Sequence, residues 1–387
     1  MMRYCIFFCA FFCIVSHTNL TAQQRNAFAT AENRTATTKQ LRKFADSVIR
    51  NVPFHDNNFM LWNKAGWAME LMLYKHPYFL KRIPEIITAF PTLRAEMQWS
   101  VLQTWYTLFP GREVSALQSL WTSARSHKIR ALILVHLHAA NITMKIQPED
   151  SFLTSPYAPL FYAWRQQGFP LYSIHAIKGI SILEGKSLLV SMQYRNRDKP
   201  GFLSIRKSDG SWVKDKNGNI KQYPQLARAI TNLPYFLTNG NTPQGLYRIT
   251  GTAVSDNNWI GPTENLQLVM PFEKGGSMSF FDPNTDPREQ YANLLGRLSK
   301  DSSLWQSFHA GLLGRSEIIA HGTTIPPEYY RTYRYYPNTP SLGCLCSPEK
   351  WDHHGILSTS VQKEWMKAIR LLPQMPEYLL VIEIKDK

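Results

Sequence analysis

Near the C-terminus the chain reads Ala320-His321-Gly322-Thr323-Thr324 and, after a stretch rich in Pro, Tyr and Arg, Pro340-Ser341-Leu342-Gly343-Cys344-Leu345-Cys346. A thiol attacks as its thiolate, and a nearby imidazole is the usual device for making one at neutral pH. Cys344 is therefore the candidate nucleophile and His321 its candidate base. The 23 positions between them allow the chain to leave a strand, make an excursion and return with the thiol facing the imidazole. Gly343 removes bulk beside the sulfur and permits a tight turn, from which the backbone N–H groups of Gly343 and Cys344 can face a developing oxyanion. By residue type alone, a lone Cys and a lone His are read first as an inert thiol in a core and an unrelated imidazole.

Two longer patterns add to this. Ser341-Leu342-Gly343-Cys344 resembles the Ser/Thr-x-Gly-Cys signature of the L,D-transpeptidase catalytic domain of the YkuD type, and His321-Gly322-Thr323 is similar to that family's upstream His-Gly element. Upstream again, Thr242-Pro243-Gln244-Gly245-Leu246-Tyr247-Arg248-Ile249 resembles the family's Thr-Pro-x-Gly-x-aromatic-x-Ile strand. The resemblance spans residues 175 to 385 and leaves the preceding segment unaccounted for. It implies a β-sandwich-like catalytic domain in which Cys344 attacks a peptidoglycan stem peptide at the carbonyl of an L-centre. D-alanine leaves, and an amine or water resolves the thioester. It assigns Cys344 as nucleophile, His321 as base, and Ser341 and Gly343 to the positions beside the sulfur, with no cofactor.

Two positions depart from the pattern: Leu342 stands where the family often has His, Lys or Arg, and Cys346 where it commonly has Arg or Asn. Neither can supply a charged hydrogen bond to a substrate carboxylate. The long stretch 325–338 offers replacements in Arg331 and Arg334, and its Tyr333, with Tyr329, Tyr330, Tyr335 and Tyr336, is expected to form a lid over substrate. His309, 12 positions before His321, is expected to line the cleft. Cys346 is either a redox partner of Cys344 or an incidental small residue. His353-His354 matches no standard zinc spacing, and no metal is expected.

The elements that must position these groups are legible from periodicity. Met1-Met2-Arg3, the apolar run Tyr4–Val15 and the small and polar residues up to Ala22 read as a secretory signal peptide over 1–22 that takes Cys5, Cys9 and Cys13 with it. From Thr38 to Asn141 apolar residues recur at three and four positions between prolines, which predicts short helices over a domain at 23–150 whose Trp and Tyr residues form its core. A linker is expected at 151–174 and the catalytic domain at 175–387. There, strands are expected at 180–183, 187–194, 201–207, 245–252, 265–270, 277–281 and 316–320, a helix at 360–372 and a last strand at 378–384. The fold class is thus α+β, all-helical first and mostly β after.

Without Arg3 the chain carries 42 basic and 28 acidic residues, a net +14 that suits an anionic wall. The bases are dispersed and match no nucleic-acid-binding signature, so nucleic acid is excluded as partner. The expected setting is the periplasm or cell wall, with stem peptides as substrate, export as the only dealing with the membrane, and a protein partner of the helical segment left open. Alternatives of the same site are an L,D-carboxypeptidase and a non-catalytic wall-binding protein.

Overall fold

The computed structural model describes residues 24–273 and 280–386, so the expected signal peptide and most of the expected strand at 277–281 lie outside the described residues. Six helices come first: α1 (Ala31–Asn51), α2 (Phe59–Leu71), α3 (Ile83–Ala89), α4 (Ala95–Leu108), α5 (Val114–Ser119) and α6 (His127–Ala139). The Thr30 hydroxyl caps α1 by accepting the Asn33 N–H, and Pro53 bars continuation at the other end. On α1 the face Leu41, Ala45, Val48, Ile49 is buried. Around α6, Ile129 and every residue from Ala131 to Leu137 are buried, which makes it the centre of the bundle. Trp62, Trp105, Tyr106 and Trp121 are core residues.

Residues 151–174, expected as a linker, instead carry α7 (Tyr157–Gln166), with α8 (Ile174–Lys178) starting at the end of that stretch. Ala158 and Phe161, three apart, turn one face of α7 into the bundle core, a spacing too short for the sequence pattern to reveal.

The second half is built on one mixed sheet. Its strands are β1 (Leu188–Tyr194), β2 (Gly201–Arg206), β3 (Tyr223–Gln225), β4 (Gly245–Ala253), β5 (Asn265–Val269), β6 (Ile319–His321), β7 (Leu345–Cys346) and, after the small hairpin β8 (Glu349–Trp351) and β9 (Leu357–Ser360), β10 (Tyr378–Ile384). The order is β3-β2-β1-β10-β4-β5-β6-β7, with β1/β10 and β6/β7 parallel and the other neighbours antiparallel. Its two edges meet: Leu226, just past β3, exchanges backbone hydrogen bonds of 2.8 and 2.9 Å with Cys346 in β7, so the sheet is nearly barrel-shaped. Helices α9 (Pro287–Leu295) and α10 (Gln306–Leu312) lie between β5 and β6, and α11 (Val361–Arg370) precedes β10.

Period-two alternation assigns the sheet's two faces. Leu189, Tyr247, Leu268, Leu379 and Val381 join a core that runs without a break into the helical bundle. Leu188, Val190, Leu246, Leu380 and Ile382 join a second core with Tyr291, Trp305 and Phe308 of the α9–α10 segment. Residues 180–183, expected as a strand, are irregular and bent, because β1 takes its antiparallel partner from β2. Among the described residues no helix is long and apolar enough to cross a membrane.

Candidate active site

Parallel pairing of β6 with β7 aligns Ala320 with Leu345 and His321 with Cys346. Ala320 and Leu345 point into the main core. Alternation therefore sends Ile319, His321, Cys346 and the preceding Cys344 to the opposite face, with His321 and Cys344 on a diagonal between adjacent strands. Two sequence elements 23 positions apart thus meet on one face of one edge.

His321 is buried, and its Nδ1–H donates to the carbonyl of Gly322, which leaves Nε2 as the basic nitrogen. Burial lowers the imidazole's pKa, so it is neutral at pH 7. Cys344 is half-buried; burial pushes its thiol up to about 11, against a hydrogen bond from the Ile319 backbone that favours the thiolate. The S–H donates to the Glu317 carbonyl at 3.5 Å, and among the described residues no hydrogen bond joins Sγ to the imidazole. The resting pair is therefore neutral thiol and neutral imidazole, and passage of a proton between them would need the S–H to leave the Glu317 carbonyl.

The loop before the sulfur is held from three directions. Ser341 Oγ accepts the Gly343 N–H at 3.1 Å and donates to the Cys344 carbonyl at 2.9 Å. Ser341 ties the loop together, and the Gly343 N–H is thereby occupied and is not free as an oxyanion donor. Among the described residues the Cys344 N–H has no acceptor, and it is the donor left for that role. Thr242 Oγ1 donates to the Gly343 carbonyl at 2.8 Å, tying the Thr242–Ile249 element to the nucleophile loop. Gly343 has φ +117°, and a Cβ there would stand 2.5 Å from Arg315 Nη2 and 2.7 Å from the Gly240 carbonyl, so no other residue fits.

Arg315 was not singled out by sequence because it belongs to no motif. It is buried, and its guanidinium donates to the carbonyls of Tyr235, Asn241 (2.9 Å) and Gly240 (2.9 Å) beneath the loop. The helical bundle braces the same 235–241 segment: Asn239 donates to Gln103 of α4 at 3.0 Å, and Lys128 of α6 donates to the Thr238 hydroxyl.

Glu349 is a second unanticipated group. Its carboxylate accepts the Thr323 N–H at 3.0 Å and the Ser360 hydroxyl at 2.6 Å, and packs so closely on Gly322 that a Cβ there would overlap it at 2.2 Å. It thereby fixes the His321-Gly322-Thr323 turn. Burial pushes Glu349 up to about 7, and does the same to Glu70, which accepts from Gln103 and Thr104. A folded-state pKa above the unfolded value means the native state binds the proton more tightly. The stabilisation is complete below about pH 4.5 and is lost as pH rises through about 7, on the order of 3 kcal/mol per group. Thermal melts are expected to fall between pH 5 and 8, with a clearly shallower fall in Glu349→Gln; an unchanged slope in that variant would rule Glu349 out as a source.

Packing occupies several of the other expected groups. Tyr330 is buried and donates to the Leu71 carbonyl of α2 at 2.7 Å, Tyr335 is buried under Arg228, and Tyr333 stacks on Tyr335. The 325–338 stretch is thus an anchor to the helices rather than a lid, because Tyr330 and Tyr335, with Tyr329 and Tyr333 packed against them, fill a core with Leu41, Ala68 and Met72, while Tyr336 is exposed. Arg331 and Arg334 are exposed and make no side-chain bond among the described residues. His309 sits edge-on to Phe308 with Arg288 beside it, and among the described residues no hydrogen bond joins it to Cys344. His353 and His354 pack ring against ring, tilted by 41°, in the β8–β9 turn. Cys346 is buried, its thiol raised to about 12, with Thr339 Oγ1 at 3.7 Å. Among the described residues no three His, Cys, Asp or Glu side chains gather as a metal site.

No family model, curated protein or solved structure matches the chain.

Proposed function

We propose that the protein is a wall-modifying L,D-transpeptidase acting outside the cytoplasmic membrane, with its curled mixed sheet as that family's β-sandwich-like catalytic fold. The observation that carries this reading is convergence: Thr242, His321 and Cys344, from three separate sequence elements, meet around one loop through the Thr242–Gly343 hydrogen bond and the β6/β7 pairing.

In this mechanism the stem-peptide carbonyl at an L-centre docks over the Cys344 N–H. As Sγ forms its bond to the carbonyl carbon, its proton passes to Nε2 of His321; collapse of the tetrahedral species breaks the C–N bond, and Nε2 returns the proton to the departing D-alanine amine. An acceptor amine then attacks the thioester, gives its proton to His321, and Cys344 leaves with a proton. Water in place of the amine makes the outcome carboxypeptidation.

Incubation with defined muropeptides, followed by chromatography and mass analysis, is expected to show loss of D-alanine and a new cross-link. One observation favours a non-catalytic wall-binding role instead: the Cys344 S–H donates to the Glu317 backbone carbonyl rather than to His321. Muropeptides bound but recovered unchanged would establish that role.

A further inference from the structure

We infer that Arg315 is the counter-cation of the Cys344 thiolate, a positioning residue that holds the sulfur's negative charge as it forms; this rests on Cys344 being the nucleophile. Arg315 lies on the stretch between α10 and β6 and is only 6% exposed. Its three hydrogen bonds all go to neutral backbone carbonyls, and among the described residues no carboxylate lies within ion-pair distance of it. A buried guanidinium with no counter-anion is costly, and an anion forming beside it offsets that cost. Burial lowers its pKa only to about 10, so the charge persists at neutral pH.

The anion due to appear is one residue from its contact surface. Nη2 occupies the space where a Gly343 side chain would stand, directly before Cys344. The titratable groups facing the sulfur come from every neighbouring segment: Arg315 and Glu317 before β6, Glu273 after β5, Cys346 further along β7, and the neutral His321 in β6. Arg315 favours the thiolate, whereas Glu317 and Glu273 oppose it. Leu342 and Cys346 supply no cation from the nucleophile's own segment, and the charge arrives from the neighbouring one. Three carbonyl anchors fix the guanidinium in place, so no reorganisation is needed when the anion forms.

The test follows alkylation of Cys344, located by peptide mapping, with neutral iodoacetamide and anionic iodoacetate at pH 8. In Arg315→Met the iodoacetamide rate is expected to fall about tenfold, since a neighbouring opposite charge moves a pKa by about one unit or more. The iodoacetate rate should fall further, because the attraction for the reagent's own charge is lost as well. Arg315→Lys, which keeps the charge and loses carbonyl anchors, should retain most of both rates. Unchanged rates in Arg315→Met, or a Lys variant as slow as the Met variant, would overturn the inference in favour of a purely structural tie. Should Arg315→Met fail to fold, the wild-type iodoacetate-to-iodoacetamide ratio decides: it should exceed that of a free cysteine peptide, and a ratio at or below the peptide's overturns the inference. None of these readouts uses turnover, so a protein inactive on muropeptides would refute the proposed function while leaving this result to stand or fall by itself.

Discussion

Cys344→Ala is expected to lower release of D-alanine from muropeptides about 10⁴-fold or more, to background, because removing a covalent nucleophile removes the acyl-enzyme route itself. Cys346→Ala is expected to keep turnover within about threefold. The contrast comes from geometry. Cys344 is half-buried at the open end of β7, whereas Cys346 is buried in the seam where the sheet closes, with its N–H and C=O both bonded to Leu226. Burial also holds the Cys346 thiol higher, at about 12. Full activity in Cys344→Ala and none in Cys346→Ala would transfer the nucleophile to the residue that stands directly opposite His321 in register.

His321→Gln should cost about 10²- to 10⁴-fold in kcat, the usual worth of a general base, with little change in KM. Glutamine can still donate to the Gly322 carbonyl but cannot take the thiol proton. The pH profile distinguishes this role from a preformed thiolate–imidazolium pair. His321 is pushed below its ordinary 6.5 and the Cys344 thiol is raised to about 11, so both are neutral between. Activity is therefore lost only as pH falls through the depressed imidazole pKa, where the base becomes protonated. Across neutral and mildly alkaline pH kcat/KM should be flat. A bell centred near neutrality would contradict the neutral pair.

Much of this was readable before any coordinates. The strands at β1, β2, β4, β5 and β10 announced themselves by β-branched and aromatic runs, and α11 by the face Val361, Trp365, Ile369. The elements that escaped are short or depend on distant partners: β3, β7 and β8 have two or three residues each, and β7 is a strand only because β6 and Leu226 flank it. At the site, Cys344, His321, Ser341 and Gly343 were legible as motif residues. Arg315 and Glu349 were not, since one works through backbone carbonyls of a remote segment and the other through its fit against Gly322. The tyrosine stretch misled for a related reason. Aromatic residues in a long loop suit a lid or an anchor equally well, and only the surface of α1 and α2 decides between them.

The central claim is that the sulfur at 344 is an acyl acceptor served by the imidazole at 321. Mass spectrometry of the intact protein after exposure to a carbapenem, with peptide mapping, addresses it most directly. A single covalent adduct on Cys344, formed slowly in His321→Gln and not at all in Cys344→Ala, is the expected result. A thiol left unmodified at 344, or an adduct mapped to Cys346, would contradict it.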